Sequence, residues 1–202
     1  MLTFALAVFF LIITPGPGVL STAGVGSAFG AKPGTRYVIG LFIGTNMVAL
    51  AVVSGLAAVV LADVRIRSIL FIASAAYLFY LAARIALAGS RIAFIEARRS
   101  PGVIDGVLLQ MINPKAYAVN TTLFSGFAFG GANLLAETIL KFVIVNAIWI
   151  PIHFFWLWLG ITLRQLDLSE RTHRAVNIAM SVSMLAVVCL AVAYQFLGGA
   201  SR

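Results

Sequence analysis

The chain has 202 residues, of which 62% are hydrophobic and 10% charged, with a formal net charge of +8 and a mean hydropathy of +1.07. A soluble domain carries about 25% charged residues, so this chain has too little charge to cover itself in water and must take membrane lipid as its solvent. Its basic residues lie between apolar segments and are not interleaved with aromatics, which excludes a nucleic-acid partner and matches the Lys- and Arg-rich loops that flank membrane spans.

Six apolar stretches are long enough to cross about 30 Å of hydrocarbon, which takes about 20 helical residues. The predicted spans are 2–26, 37–61, 68–88, 103–128, 136–160 and 175–197. The first resembles a signal peptide in length, but Met1 to Thr14 contains no Lys or Arg. Without a basic leading region it reads as a transmembrane helix. It is interrupted by Thr14-Pro15-Gly16-Pro17-Gly18. Two prolines and two glycines in five residues predict about one unwound turn, since proline inside a helix removes a hydrogen bond and clashes with the preceding turn. The half-helix that follows would offer free N–H groups and a positive dipole end to an anion such as an α-carboxylate.

Lys32-Pro33-Gly34 is the predicted first connection and Asp63 to Arg67 the second. The third runs from Gly89 to Gly102 and is basic, with Arg91, Arg98 and Arg99. The fourth span carries a second break, Asn113-Pro114-Lys115, 99 residues after the first. Lys115 lies about 18 Å along that span at 1.5 Å per residue, near mid-membrane. A lysine there costs about 2.5–3.5 kcal/mol on insertion scales and must face the bundle interior, a cavity or a counter-charge. It suits a substrate carboxylate or a change of protonation during transport, and it suits equally the capping of carbonyls freed by Pro114. The fourth connection is Phe129 to Ala132 and the fifth Arg164 to Arg174.

Connections one, three and five with their flanks hold nine Lys and Arg, and the opposite side holds four. This bias predicts that connections one, three and five are cytoplasmic and that both termini are extracytoplasmic. Three spans in each half force the halves to insert with opposite orientation, and breaks at corresponding positions of two such halves point to a transporter's binding site. The expected fold is therefore an all-α integral membrane protein. It forms one transporter domain over 1–202, with inverted halves of about 1–88 and 103–197 and with helices 1 and 4 broken. Asn46 of span two falls within one position of Asn146 of span five on the same 99-residue shift.

Other residues add less. His153 follows Pro151 in span five; it is a candidate proton relay, since histidine titrates near physiological pH, and equally an interface group. Asn46, Asn120 and Asn146 are intramembrane amides that either bridge helices or line a path. Gly26/Gly30, Gly40/Gly44 and Gly126/Gly130 have the spacing of close helix contacts, within the bundle or across a homodimer. The single cysteine, Cys189, forms no intrachain disulfide. No Cys/His cluster has metal-site spacing and no nucleotide fingerprint is present, so neither a metal nor another cofactor is expected.

Taken together, the Pro-Gly-Pro break, Gly40 to Asn46, Ala76-Tyr77-Leu78 with Tyr80-Leu81, and Asn113-Pro114-Lys115-Ala116 resemble the LysE/RhtB family of amino-acid exporters over essentially the whole chain. The resemblance implies about six helices in a bacterial inner membrane, exporting amino acids or related small metabolites under the proton gradient. Thr14, Pro15, Gly16, Pro17, Asn46, Tyr77, Asn113, Pro114 and Lys115 are the expected substrate-binding residues, and Lys115 and His153 the expected proton-coupling groups. Asn46 stands where many members carry an aspartate, and Ser74 replaces a more usual glycine. Two alternatives stand beside this reading. One is an exporter or channel for another small solute or ion. The other is an intramembrane serine protease using Ser125 and His153, although Leu123 occupies the first glycine position of the nucleophile motif that such an enzyme uses.

Overall fold

The prolines and glycines divide the apolar runs more finely than hydropathy alone predicts. A computed structural model describes residues 1–86, 100–129 and 133–166, with 169, 171–172, 174–175, 177–179, 182–183 and 185–186. The described residues are helical, without strands. The basic Gly89–Arg99 stretch, Gly130-Gly131, Cys189 and most of the predicted sixth span lie outside them.

Helix α1 (Leu2–Ile13) and helix α2 (Pro17–Phe29) are the two pieces of the first span, bent by 51°. Thr14 is extended, with φ −55° and ψ 126°, as a residue before proline prefers. Gly16 is also extended, and Pro17 opens α2 with the fixed φ that suits a first helical position. A single residue, Gly30 at φ +84°, separates α2 from α3 (Ala31–Val53). The predicted Lys32-Pro33-Gly34 connection is therefore the first turn of a helix. Pro33 is tolerated there because first-turn N–H groups have no helical partner.

Helix α3 ends eight residues before the predicted limit of 61. Gly55, at φ +77°, turns the chain into a separate short helix, α4 (Leu56–Ala62). Helix α5 (Val64–Ala86) begins directly after Asp63, whose Oδ1 accepts the N–H groups of Arg65 at 2.7 Å and Ile66 at 3.3 Å. This N-cap shrinks the predicted second connection to one residue. The fourth span divides into α6 (Val103–Ile112) and α7 (Pro114–Ser125). Asn113 sits between them at φ −78° and ψ 109°, and its Oδ1 accepts the Lys115 N–H at 3.0 Å. Helix α8 (Leu134–Gln165) carries Pro151 inside it and is capped by Asn133.

By length and composition, α3 and α8 are each able to cross a membrane, and the bent α1–α2 pair meets the same measure when taken together as one span. Helix α2 is the innermost element, with Val19 to Ser27 all buried. Small residues allow this. A Cβ on Gly26 would lie 2.8 Å from the Leu157 carbonyl oxygen, and one on Gly160 would overlap the Ala23 carbonyl. The same device joins α3 to α6. A Cβ on Gly44 would lie 2.8 Å from Gln110 Cβ, and those on Gly40 and Gly106 would strike the backbones of Val103 and Tyr37. Gly26, Gly40 and Gly44 thus serve as predicted, in contacts within the bundle. Gly126 meets only Thr122 of its own helix. Ser27 Oγ donates to Asn177 Oδ1 at 2.9 Å, fixing a residue of the predicted sixth span to α2.

The contacts of Gly26, Gly160, Gly40 and Gly106 lie toward one end of the bundle, where α2 ends, α3 and α6 begin, and α8 finishes. The other end is built from side chains. Phe4 of α1 packs edge-on against Phe127 and Phe129, with centroids 5.4 and 5.3 Å away. Lys141 of α8, only 3% exposed, donates to the carbonyls of Phe124 (3.1 Å) and Phe127. It also pairs with Glu137 at 2.6 Å, whose other oxygen accepts the Phe129 N–H at 3.0 Å. The Lys/Arg count treats Lys141 as a flanking charge; it is instead an internal strut tying α8 to the end of α7.

Candidate functional site

The two proline breaks meet. Lys115, the second residue of α7, reaches across to donate from Nζ to the Thr14 carbonyl at 2.6 Å. Its stem lies on Gly16, where a Cβ would stand 2.8 Å from Lys115 Cδ and 2.9 Å from Nζ. Thr14 Oγ1 caps the preceding helix by donating to the Phe10 carbonyl at 2.5 Å. The carbonyl freed by the first break is thus the partner of the cation at the second, and a lysine ammonium keeps two further donors.

Around this contact lies a cavity of about 60 Å³, set in a hollow of about 520 Å³ that includes its open mouth. Thr14, Gly16, Gly18, Asn113 and Lys115 line it at the level of the breaks, with Thr45, Gln110 and His153. From there it follows α1 (Leu11, Ile12), α7 (Val119, Asn120, Leu123) and α8 (Val145, Trp149). It therefore extends toward the aromatic end of the bundle, and the glycine-packed helices form its floor.

A chain of amides supports the floor. Asn113 Nδ2 donates to Gln110 Oε1 at 3.0 Å, and Gln110 Nε2 donates to Thr45 Oγ1 at 2.5 Å. Neither Gln110 nor Thr45 was singled out from sequence. Gln110 carried a readable signal, since it is an intramembrane amide three residues before Asn113 and so shares its helix face. Asn120 bonds back to its own helix, donating to the Ala116 carbonyl at 2.8 Å.

His153 is buried and stacks on Trp149, with centroids 3.6 Å apart and planes 13° from parallel. Its Nδ1 lies 3.0 Å from the Trp149 carbonyl, so Nδ1 carries the hydrogen and Nε2 keeps its lone pair. That nitrogen faces Gly18, where a Cβ would be 3.5 Å away.

Not every expected residue lines the cavity. Asn46 and Asn146 exchange two side-chain hydrogen bonds, at 3.0 and 2.9 Å, and join α3 to α8 beside it. Asn46 also donates to the Phe42 carbonyl at 2.9 Å. Tyr77 lies farther off, donating its hydroxyl to the Asp105 carbonyl at 3.0 Å. Pro15, Pro17 and Pro114 contribute the breaks rather than lining side chains. Ser125 is not brought to His153. Lys141, beside Phe124, precedes His153 by about 18 Å along α8, so the pair cannot act as nucleophile and base. Among the described residues no three His, Cys, Asp or Glu side chains group to hold a metal ion.

Neither a curated protein nor a solved structure matches the chain. Two broken helices joined by a lysine, and a cavity with polar groups at the breaks inside an apolar bundle, are features of a multi-pass membrane protein that moves small solutes. The family model of the LysE type translocators matches residues 9–198, and the chain belongs to that family of membrane transporters.

Proposed function

We propose that this protein exports amino acids or related small metabolites from the cytoplasm by alternating access between two inverted three-helix halves, driven by the proton gradient. One observation carries the reading: the Lys115 ammonium of the second break sits on the exposed backbone of the first, inside a cavity. A cation beside extended backbone suits a carboxylate, the group common to amino acids. The same charge opposes passage of metal or alkali cations, which disfavours a cation channel. The reciprocal Asn46–Asn146 pair supports inverted halves, because two amides within one position of equivalence on the 99-residue shift meet.

The Lys and Arg bias supports a bacterial inner-membrane orientation with the glycine-packed end cytoplasmic and the termini extracytoplasmic. The cavity then leads toward the extracytoplasmic side. Lys115 and His153 are the titratable groups of the cavity and the candidates for proton coupling. Close packing of the glycines within the bundle removes those patterns as a reason to invoke a homodimer.

The test is export of amino acids from cells loaded with a dipeptide pool. Lys115→Ala and Gly16→Leu variants, present in the membrane at parental levels, are expected to lose at least tenfold in rate. Parental export by both would overturn the site.

A further inference from the structure

Among the described residues the cavity offers one cation, Lys115, and no carboxylate. At the level of the breaks it presents the Lys115 ammonium, the amides of Gln110 and Asn113, the Thr45 hydroxyl and the His153 imidazole. Beyond them, toward the aromatic end, its walls are mainly apolar. A second feature is unused by the fold. His153 is 3% exposed, and its Nδ1 is committed to the Trp149 carbonyl. Its Nε2 is left as a lone-pair acceptor on the cavity wall beside Gly18. A ligand that donates there gains a hydrogen bond.

Lys115 and His153 flank the same stretch of backbone. Gly16 is extended, and a Cβ on it would stand 2.9 Å from Lys115 Nζ, while one on Gly18 would stand 3.5 Å from His153 Nε2. Gly16 is the extended residue before α2 and Gly18 lies in the first turn of that helix, so Lys115 and His153 border neighbouring parts of one break and can address two groups of one small molecule.

Resting on the amino-acid reading above, we infer that the cavity selects zwitterionic amino acids with uncharged, mainly apolar side chains. The carboxylate is held by Lys115 and the ammonium donates to His153 Nε2. The side chain points toward Leu11, Val119, Leu123 and Val145. A lysine-like side chain would bring a second ammonium to an apolar wall without a counter-charge, and a glutamate-like one would bring an unpaired carboxylate. Either burial is strongly unfavourable. His153 is thus the residue that distinguishes an amino acid from the same acid lacking its amino group.

Counterflow of radiolabelled leucine into proteoliposomes holding the full chain tests this, with unlabelled leucine, lysine, glutamate and 4-methylpentanoate as competitors. The last is leucine without its ammonium. Hydrogen bonds to charged groups contribute about 1.5–3 kcal/mol, so 4-methylpentanoate is expected to compete at least about tenfold more weakly than leucine, and lysine and glutamate more weakly still. His153→Leu should bring the leucine to 4-methylpentanoate ratio to about one. His153→Gln, which keeps an acceptor oxygen, should restore most of the preference. A residue that only supports the fold would lower transport of both competitors together. Equal competition by lysine or glutamate, or an unchanged ratio in His153→Leu, overturns the inference while leaving amino-acid export standing. Absence of counterflow for every amino acid overturns both. The wild-type panel decides the matter even where the leucine variant fails to insert.

Discussion

The two ends of the bundle are closed in different materials. At one, backbone meets backbone across glycines, in the Gly160–Ala23, Gly40–Val103 and Gly106–Tyr37 contacts. At the other, long side chains meet: Phe4 with Phe127 and Phe129, and Lys141 with Glu137 and two carbonyls. A backbone contact has no rotamers through which to yield, so it opens only when whole helices separate. A side-chain contact opens by rotation about a few bonds, one cluster at a time. The cavity lies against the first kind of closure and extends toward the second, as the site of a transporter at rest with one door bolted and the other latched would.

Breaking the glycine end should have the largest effect. Gly160→Leu forces a side chain into the Ala23 carbonyl and is expected to destabilise the bundle by about 3 kcal/mol or more. It should show as loss of folded protein in detergent-solubilised membranes and a lower thermal midpoint. Wild-type stability in this variant would show that the end is loosely packed after all.

Lys141→Met comes next. It leaves Glu137 without its cation and the Phe124 and Phe127 carbonyls without a donor. Removing one member of an ion pair strands the other's charge, a loss softened here because Glu137 retains 14% exposure and its bond to the Phe129 N–H. The double variant Lys141→Met with Glu137→Gln should recover part of the loss, since no charge is then stranded. Thermal unfolding of the two variants side by side measures this, and a double variant less stable than the single would contradict the strut.

Phe4→Ala comes last: it loses two edge-to-face pairs worth roughly 0.5–1.5 kcal/mol each and leaves a void where the ring, 1% exposed, was buried. Its larger consequence is access. With Cys189 replaced by serine, Val119→Cys places a thiol on the cavity wall. Its reaction with a membrane-impermeant maleimide from the aromatic side should quicken when Phe4 is truncated. An unchanged labelling rate would mean that the aromatic cluster does not close the cavity.

The residues that sequence reasoning found share one property: they violate a rule of the membrane. Proline in a span and lysine at mid-depth each demand a partner, and Thr14, Gly16, Asn113 and Lys115 do meet. The Asn46–Asn146 correspondence was readable for a similar reason, as two isolated amides in register. What escaped was decided by facing or by backbone angle. Gly55 ends α3 within an apolar stretch, and a hydropathy window passes over it because α4 is equally apolar. Lys141 looked like a flanking charge, since only the approach of α7 and α8 makes it internal. Tyr77 belonged to a recurring motif, and such a motif does not say which side of its helix meets the cavity. Gln110 hid among apolar neighbours, and only its three-residue offset from Asn113 betrayed it.

Among the described residues no acid stands opposite Lys115, and for the proposed zwitterionic solute this has an electrical consequence. A zwitterion entering the cavity brings no net charge, so the site's own positive charge is neither cancelled nor carried away when the solute leaves. The membrane field, worth about 2.3 kcal/mol per charge per 100 mV, then does no work on the solute itself. Any current recorded during turnover would then be that of a coupling ion alone, so the charge moved per solute molecule would give that ion's stoichiometry.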